Sequence, residues 1–231
     1  MITTTTAVQR RTFLGRLGAA AAVFGAAFGA TTHTVAAQAA ASATPFQPAR
    51  HPEDDWYDQT PAKHRFFLDT ASAQGLSSAM GWARNFYEAN ASGYKLTDAD
   101  LAQIICLRHH STSFAFTDAM WAKYGAALSE RAEYVDPSTK QAPTANPYES
   151  ESRGDRGITL SGLAKRGMRY AVCSMATRRT ASTIAEKTGG KVEDIFAELT
   201  SHLVPNAHMV AAGIVAVNRA QEHGYTSSSV G

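Results

Sequence analysis

Cys173 is the residue of this sequence best placed to do chemistry. It ends the short apolar run 169–173, and residues 174–177 lead into a helical pattern, so the thiol is expected where a strand ends and a helix begins. Open α/β sheets hold ligands at the carboxyl ends of their strands, and a helix N-terminus favours an anion. Arg178 and Arg179 follow in the helix. This setting favours the thiolate, the form of cysteine that acts as a nucleophile.

A structural role for Cys173 is the alternative. A free cysteine is among the most buried residue types and closes a strand well as a small apolar side chain. The sequence leaves both roles open.

A second group of reactive side chains comes with the apolar run 104–107. Cys106 lies inside this run and is expected in the core, whereas Arg108 and His109 follow it. Because the strand ends there, we expect His109 and Arg108 to line the same crevice as Cys173 and to supply a proton or positive charge to an anion bound there.

The same group also permits a zinc or copper site built from Cys106, His109 and His110. Neighbouring side chains of an extended strand point in opposite directions, so both histidines are able to bind one metal only if the strand has ended before them. The metal question stays open, and no other cofactor is predicted.

Composition and missing motifs exclude several classes of protein. The chain carries 22 basic and 20 acidic side chains, which argues against nucleic-acid binding. Its two cysteines form no C-x-x-C pair, which excludes a disulfide framework and a cysteine-rich zinc module. Phosphate-binding glycine loops and the G-x-S-x-G nucleophile motif are absent, so nucleotide binding and serine hydrolysis have little support.

Strands alternate with helices along the chain, and this alternation predicts an α/β protein with one doubly wound parallel sheet. Strands are expected at 64–70, 104–107, 169–173 and 203–205, and helices at 73–90, 114–124, 160–166, 179–187, 195–199 and 208–222. In a sheet of order 2-1-3 the first strand separates Cys106 from Cys173, so no disulfide is expected between them.

The amino-terminal segment has the pattern of an export signal. Arg10, Arg11 and Arg16 precede a weakly apolar stretch at 17–30, which is too short to span a bilayer. The run 9–14, Gln-Arg-Arg-Thr-Phe-Leu, resembles the twin-arginine motif. We expect cleavage between residues 36 and 44, a periplasmic or secreted protein, and no stable membrane anchor.

The predicted organisation has one folded domain with appendages. The insertion within the domain is expected to cover the carboxyl ends of the strands. The segments are the signal peptide 1–39, a linker or mobile arm at 40–62, the α/β domain at 63–226 with a long insertion at 125–159, and a tail at 227–231.

Four stretches of the sequence come in a characteristic order. They are Leu-Arg-His at 107–109 running into 117–124, residues 163–167 leading to Val-Cys at 172–173, Val-Pro at 204–205, and Gln-Glu-His-Gly-Tyr at 221–225. In these stretches and their order the chain resembles the DsrE/DsrF-like family of sulfur oxidation and sulfur relay, and the resemblance covers about 63–226. It implies a flavodoxin-like sheet, symmetric oligomers and, in some members, a persulfide on the cysteine that Cys173 matches.

Two functions follow as hypotheses. The first is an exported sulfur carrier that accepts sulfane sulfur on Cys173 and passes it between thiol-containing donor and acceptor proteins; whether it acts as a sulfurtransferase-like enzyme is undecided. The alternative is a non-catalytic oligomeric module of the cell envelope that binds a small ligand or a metal. Large helix residues, Trp82, Phe86, Trp121 and Tyr124, add to the expectation of a homo-oligomer.

Overall fold

A computed structural model describes residues 46–150 and 158–231, so the predicted signal peptide and its cleavage site lie outside the described residues. The described residues from 48 onward form one compact unit. Its centre is a sheet of five parallel strands in the order β4-β3-β2-β1-β5. This arrangement confirms the predicted flavodoxin-like α/β class. The strands are β1 (His64–Thr70), β2 (Leu101–Leu107), β3 (Arg169–Cys173), β4 (Ala207–Val210) and β5 (Thr226–Val230).

Helices connect the strands and cover both faces of the sheet. No helix among the described residues is long and apolar enough to cross a membrane. The helices are α1 (Ala73–Tyr94), α2 (Asp118–Ala132), α3 (Leu160–Lys165), α4 (Ser174–Thr188), α5 (Val192–Ser201) and α6 (Gly213–Glu222).

Successive side chains of each strand point to opposite faces of the sheet, and a hydrophobic core forms on each face. Leu68, Ile105 and Tyr170 point to the face that α1 to α5 cover. Their neighbours in sequence point to the opposite face, where α6 packs together with the 3-10 segment Pro52–Asp58: Phe67, Ile104, Cys106 and Ala171. Only α6 among the described α-helices contributes to this second core, so the chain changes faces of the sheet between β4 and β5.

The predicted strand order 2-1-3 is wrong, because β2 lies between β1 and β3. The helices that connect β1 to β4 all pack on one face, and each new strand therefore adds beside the previous one. Only β5, reached through α6 on the other face, returns to the free edge of β1. The apolar runs that predict the strands contain no information about which strands become neighbours.

The carboxyl-terminal elements also differ from the prediction. Residues 227–230, expected in a tail, belong to β5, an edge strand that pairs with β1 from Phe66↔Thr226 onward. The fourth strand occupies Ala207–Val210 instead of 203–205, and Leu203 forms only an isolated antiparallel bridge to Phe116. The last helix accordingly begins at Gly213 rather than at 208.

Two predicted irregular segments are partly ordered into the fold. The first eight residues of the predicted insertion, 125–132, continue α2. In the predicted arm, Trp56 and Tyr57 are buried in the second core, so this part of the segment packs against the domain. Trp121 is also fully buried within the chain, and of the four large helix residues Trp82 is the most exposed, at 46%. The argument for an oligomer from these residues is therefore weaker than the sequence indicates.

Cys106 and Cys173 are both free thiols. They lie on adjacent strands and on the same face, with Cys106 opposite Ala171 and Cys173 two residues further along. A strand spacing of about 4.8 Å and a rise of about 3.3 Å per residue place their Cα atoms roughly 8 Å apart. A disulfide needs about 7 Å or less. The register along the strands therefore separates the thiols, not an intervening strand.

We predict that the two cysteines stay unbonded to each other even under oxidising conditions. Protein purified without reductant and then denatured should contain two free thiols when titrated with a chromogenic disulfide reagent. The Cys106→Ala variant serves as the control and should contain one. A count of zero in monomeric wild-type protein would contradict the observed register.

Candidate functional site

The carboxyl ends of β3 and β4 form the natural crevice of this sheet. The chain leaves β3 into α4 on the first face and leaves β4 into α6 on the second. Adjacent parallel strands whose connections diverge in this way open a crevice between their ends, where open α/β proteins bind ligands. The N-termini of α4 and α6 both lie at this crevice, and each adds partial positive charge.

A pocket of about 240 Å³ occupies this position, and we call it the Cys173 pocket. The residues that line it come from the ends of β2 and β3, from α2, and from the starts of α4 and α6. They carry three guanidinium groups, one imidazole and one thiol, and no carboxylate: Arg108, His109, Arg131, Cys173, Met175, Ala176, Arg179, Ala212, Gly213 and Ile214. The structure thus brings together the three predicted site residues, Cys173, His109 and Arg108.

Cys173 caps α4 with its own side chain. Its Sγ accepts a hydrogen bond from the backbone N–H of Ala176 at 3.4 Å, and the hydroxyl of Thr177 donates to its carbonyl at 3.0 Å. The residue is only 7% exposed. The sulfur therefore lies at the positive end of a helix in a residue that lines the pocket, which fits a sulfur nucleophile as well as a structural cap.

Arg108 is held by the most buried ion pair of the site. Its Nε and Nη2 donate to the two carboxylate oxygens of Asp69 at 2.6 and 2.8 Å, and Asp69 is buried near the end of β1. The hydrogen bonds to Asp69 raise the pKa of Arg108. Sequence reasoning missed Asp69, although an acid within an otherwise apolar strand run is a signal that a partner cation lies nearby.

Gly213 allows the Arg108 side chain to lie across the start of α6. A Cβ atom at Gly213 would come within 2.5 Å of the Arg108 Cβ and 2.7 Å of its Cδ. On the other side, the thiol of Cys106 donates a weak hydrogen bond to the Gly213 carbonyl at 3.8 Å. The ends of β2 and α6 are therefore in direct contact, and only glycine fits between them.

The turn after β2 is set by hydroxyl hydrogen bonds. The Thr70 hydroxyl donates to the Cys106 carbonyl at 2.7 Å, and Ser111 Oγ accepts from the Arg108 N–H at 3.0 Å. His109 follows with a left-handed backbone (φ +56°) and an exposed side chain. Partial desolvation, and then the neighbouring His110 and Arg131, lower the pKa of His109. Its imidazole is therefore neutral near pH 7 and retains one N–H to donate.

Arg131 and Arg179 supply the remaining positive charge. Neither has an ion pair with the part of the chain that the structure describes, and Arg131 Nε is shielded from solvent without a hydrogen-bond partner. Arg178, by contrast, points away from the pocket, where it pairs with Glu193 and lies over the Phe196 ring. The predicted pair of arginines is thus divided, with Arg179 alone at the site. Nothing in the sequence signals Arg131.

The predicted metal set of Cys106, His109 and His110 does not come together. Strand β2 ends at Leu107, so the two imidazoles do meet, edge to face at 3.8 Å. His110 Nδ1, however, bonds the carbonyl of Arg131 at 2.9 Å, and Cys106 points to the buried second core. Within residues 46–150 and 158–231, no three His, Cys, Asp or Glu side chains are grouped to hold a metal ion.

The described part of the insertion leaves the Cys173 pocket open. Beyond Ala132 this segment packs elsewhere: Asn146 donates to the carbonyls of Phe114 and Phe116, and Tyr148 donates to Ala73. Asp118 accepts from the Asn146 N–H and so anchors this loop to the start of α2. Arg131 is the one residue of 125–159 that reaches the pocket among those described.

A comparison with protein-family models, with curated proteins and with solved structures finds no match for this chain. The function therefore has to be argued from the pocket itself.

Replacing Arg108 tests the ion pair. Arg108→Met leaves the buried Asp69 carboxylate without its cation. We expect a loss of about 2 kcal/mol in the free energy of unfolding, below the roughly 3–5 kcal/mol of a fully buried pair because Arg108 is 30% exposed. Urea denaturation at pH 7 measures it. Lys123→Met, which removes an exposed partner of Glu198, is the control and should cost less than about 1 kcal/mol. Equal losses would contradict the importance of the buried pair.

The two thiols should differ in reactivity. Cys106 is fully buried, and burial, followed by the nearby Asp69 charge, raises its pKa well above that of an ordinary thiol. We expect iodoacetamide to modify Cys173 in the folded protein and to reach Cys106 only after unfolding. Peptide mapping by mass spectrometry reads both sites. Rapid alkylation of Cys106 in folded Cys173→Ala protein would show that the second core opens.

Proposed function

We propose that this protein is an exported sulfur carrier in which Cys173 accepts sulfane sulfur as a persulfide and passes it to the thiol of an acceptor protein. One observation carries the proposal: a cysteine sulfur at a helix N-terminus faces a small pocket that carries three arginines and a histidine and no carboxylate. Persulfides and their donors are anions, so such a pocket attracts both the reactant and the product. The resemblance to the DsrE/DsrF-like family and the expected export signal support the same proposal.

The proposed reaction needs no oxidant. The Cys173 thiolate attacks the sulfane sulfur of a donor, a new S–S bond forms, and the bond between that sulfur and the donor breaks, so that the donor leaves with its electron pair. In the second step an acceptor thiolate attacks the outer sulfur of the persulfide, and Cys173 leaves as a thiolate. The protein returns to its starting state, and sulfur has moved between two nucleophiles.

Charges around the pocket favour the first step. A thiolate and an anionic donor at about 4 Å repel each other by roughly 4 kcal/mol at an effective dielectric constant near 20, and each cation at a similar distance offsets a comparable amount. Arg131 and Arg179 have no ion pair within the described residues, so their charge is available for this task. Arg108 contributes less, because Asp69 already neutralises it.

Apolar side chains at the mouth of the pocket give a place for protein partners or for a second copy of the chain. Met175 at the start of α4 is 70% exposed, and Ile214 at the start of α6 is 65% exposed. Large exposed apolar residues that cluster at a reactive site are typical of contact surfaces. A homo-oligomer and docking of thiol-containing donor or acceptor proteins are both part of this proposal.

A non-catalytic anion-binding module is the second candidate, favoured by the same excess of positive charge. In that case Cys173 is a helix cap and the arginines hold a ligand that undergoes no reaction. The two functions differ in one respect, namely whether Cys173 forms a covalent bond to sulfur.

The persulfide is tested by intact-protein mass spectrometry. After incubation with inorganic hydropolysulfide and removal of the excess, we expect the protein to gain the mass of one sulfur atom, to lose it on treatment with dithiothreitol, and to transfer it to an added small thiol. Cys106→Ala should behave like the wild type, and Cys173→Ala should gain nothing. Sulfur on Cys106, or no gain in the wild type, would favour the binding module.

A further inference from the structure

We infer that the sulfur donor of the Cys173 pocket is a thiosulfate-type anion, in which the sulfane sulfur is attached to a sulfonate group, and that Arg131, Arg179 and His109 bind the sulfonate oxygens. This inference rests on the proposed function and deepens it. It assigns to three side chains a binding role that is separate from the nucleophilic role of Cys173.

The first observation is the imbalance of charge. Ten residues line the pocket, and none of them is an acid. Arg108 is neutralised by Asp69 through two hydrogen bonds, whereas Arg131 and Arg179 have no such partner in the described chain. The side chains therefore leave two positive charges uncompensated, which matches the two negative charges of thiosulfate.

The second observation concerns hydrogen bonds. Arg131 Nε is shielded from solvent and has no acceptor among the described residues, so its N–H is available to an oxygen of a bound ligand. His109, with its lowered pKa, offers a neutral N–H at the same pocket. In addition, α6 begins after Ala212, whose side chain supplies no cap, so the first N–H groups of this helix remain without a side-chain acceptor. These donors suit a group with several oxygens better than a bare sulfur chain.

The third observation is size. A pocket of about 240 Å³ accommodates an inorganic anion of a few heavy atoms next to the thiol, and the exposed side chains of Met175 and Ile214 lie at its rim. The sulfane sulfur of thiosulfate would face Cys173 while its sulfonate faces the cations. The Cys173 thiolate would attack that sulfur, the S–S bond of thiosulfate would break, and sulfite would leave with the electron pair, so that persulfide and sulfite form in equal amounts.

The test compares two donors on three proteins. Thiosulfate has sulfonate oxygens and hydropolysulfide has none, so only the former needs the proposed oxygen-binding residues. We expect the Arg131→Gln/Arg179→Gln double variant to lose at least about tenfold in the initial rate of persulfide formation from thiosulfate, and less than about threefold from hydropolysulfide. Arg178→Gln, which removes a neighbouring charge outside the pocket, is the matched control and should keep both rates.

Loading from hydropolysulfide on Cys173 alone also shows that each variant is folded, because an unfolded chain would expose the buried Cys106 to the same reagent. Wild-type protein that reacts with hydropolysulfide but not with thiosulfate would overturn this inference and leave the proposed function standing, whereas failure with both donors would overturn the proposed function itself. Equal losses for the two donors in the double variant, or a loss of thiosulfate loading in Arg178→Gln, would show that the arginines act only through general charge and would also overturn the inference.

A second measurement uses wild-type protein alone and so does not depend on the variants folding. Sulfite, the predicted leaving group, should slow the alkylation of Cys173 by iodoacetamide in a saturable manner, and chloride at the same ionic strength should not. Released sulfite, measured colorimetrically during thiosulfate loading, should equal the persulfide formed. The proposed binding site for the sulfonate would be contradicted if sulfite did not protect Cys173, or if persulfide formed without an equal amount of released sulfite.

Discussion

The ion pair between Asp69 and Arg108 is the contact on which the geometry of the pocket depends. A carboxylate buried in a parallel sheet is costly unless a cation reaches it, and here the cation comes from the residue that directly follows β2. To reach Asp69, the Arg108 side chain crosses the start of α6 at Gly213, where no Cβ would fit. One electrostatic requirement thus joins the ends of β1, β2 and α6 and forms one wall of the Cys173 pocket.

The two cysteines differ in their surroundings, although they lie on adjacent strands and on the same face of the sheet. Cys106 is enclosed by the second core, and within the described residues its thiol has one hydrogen bond, to the Gly213 carbonyl. Cys173 is the last residue of β3, and there a backbone N–H of α4 donates a hydrogen bond to its sulfur. Cys106 pairs with Ala171, and Cys173 lies two residues further along β3. This offset places one cysteine in the core and the other, the candidate nucleophile, at the end of the strand.

Strongly patterned parts of the fold could be predicted from the sequence, and weakly patterned parts could not. The apolar runs of β1 and β3 are buried on both faces and were predicted residue by residue. Strand β5 reads Thr-Ser-Ser-Ser-Val and owes its conformation to backbone pairing with β1, so its composition predicts a tail. The order of the strands depends on which face each connection takes, and that information is distributed over whole helices rather than held in a motif.

Some residues of the candidate site could likewise be predicted from the sequence, and others could not. Cys173 is the last residue of β3, and Arg108 and His109 directly follow β2. Because the carboxyl ends of parallel strands lie at one edge of a sheet, the convergence of these residues could be predicted from position alone. Asp69, Arg131 and Gly213 act through contacts between residues far apart in sequence. Gly213 in particular looks like an ordinary helix start until the path of the Arg108 side chain is known. Tertiary contacts of this kind leave almost no local signal.

The excess of positive charge at the pocket contributes nothing evident to folding. Arg131, Arg179 and the starts of two helices all bring positive charge to one small depression, and like charges placed together destabilise a folded chain. The convergence of the helix starts follows from the topology, because the chain changes faces of the sheet after β4 and opens the crevice between β3 and β4. The arginines do not follow from the topology, since a neutral side chain at either position would satisfy the same backbone. The proposed function accounts for both arginines, because an anionic sulfur donor bound in the pocket would pair with them next to the sulfur of Cys173.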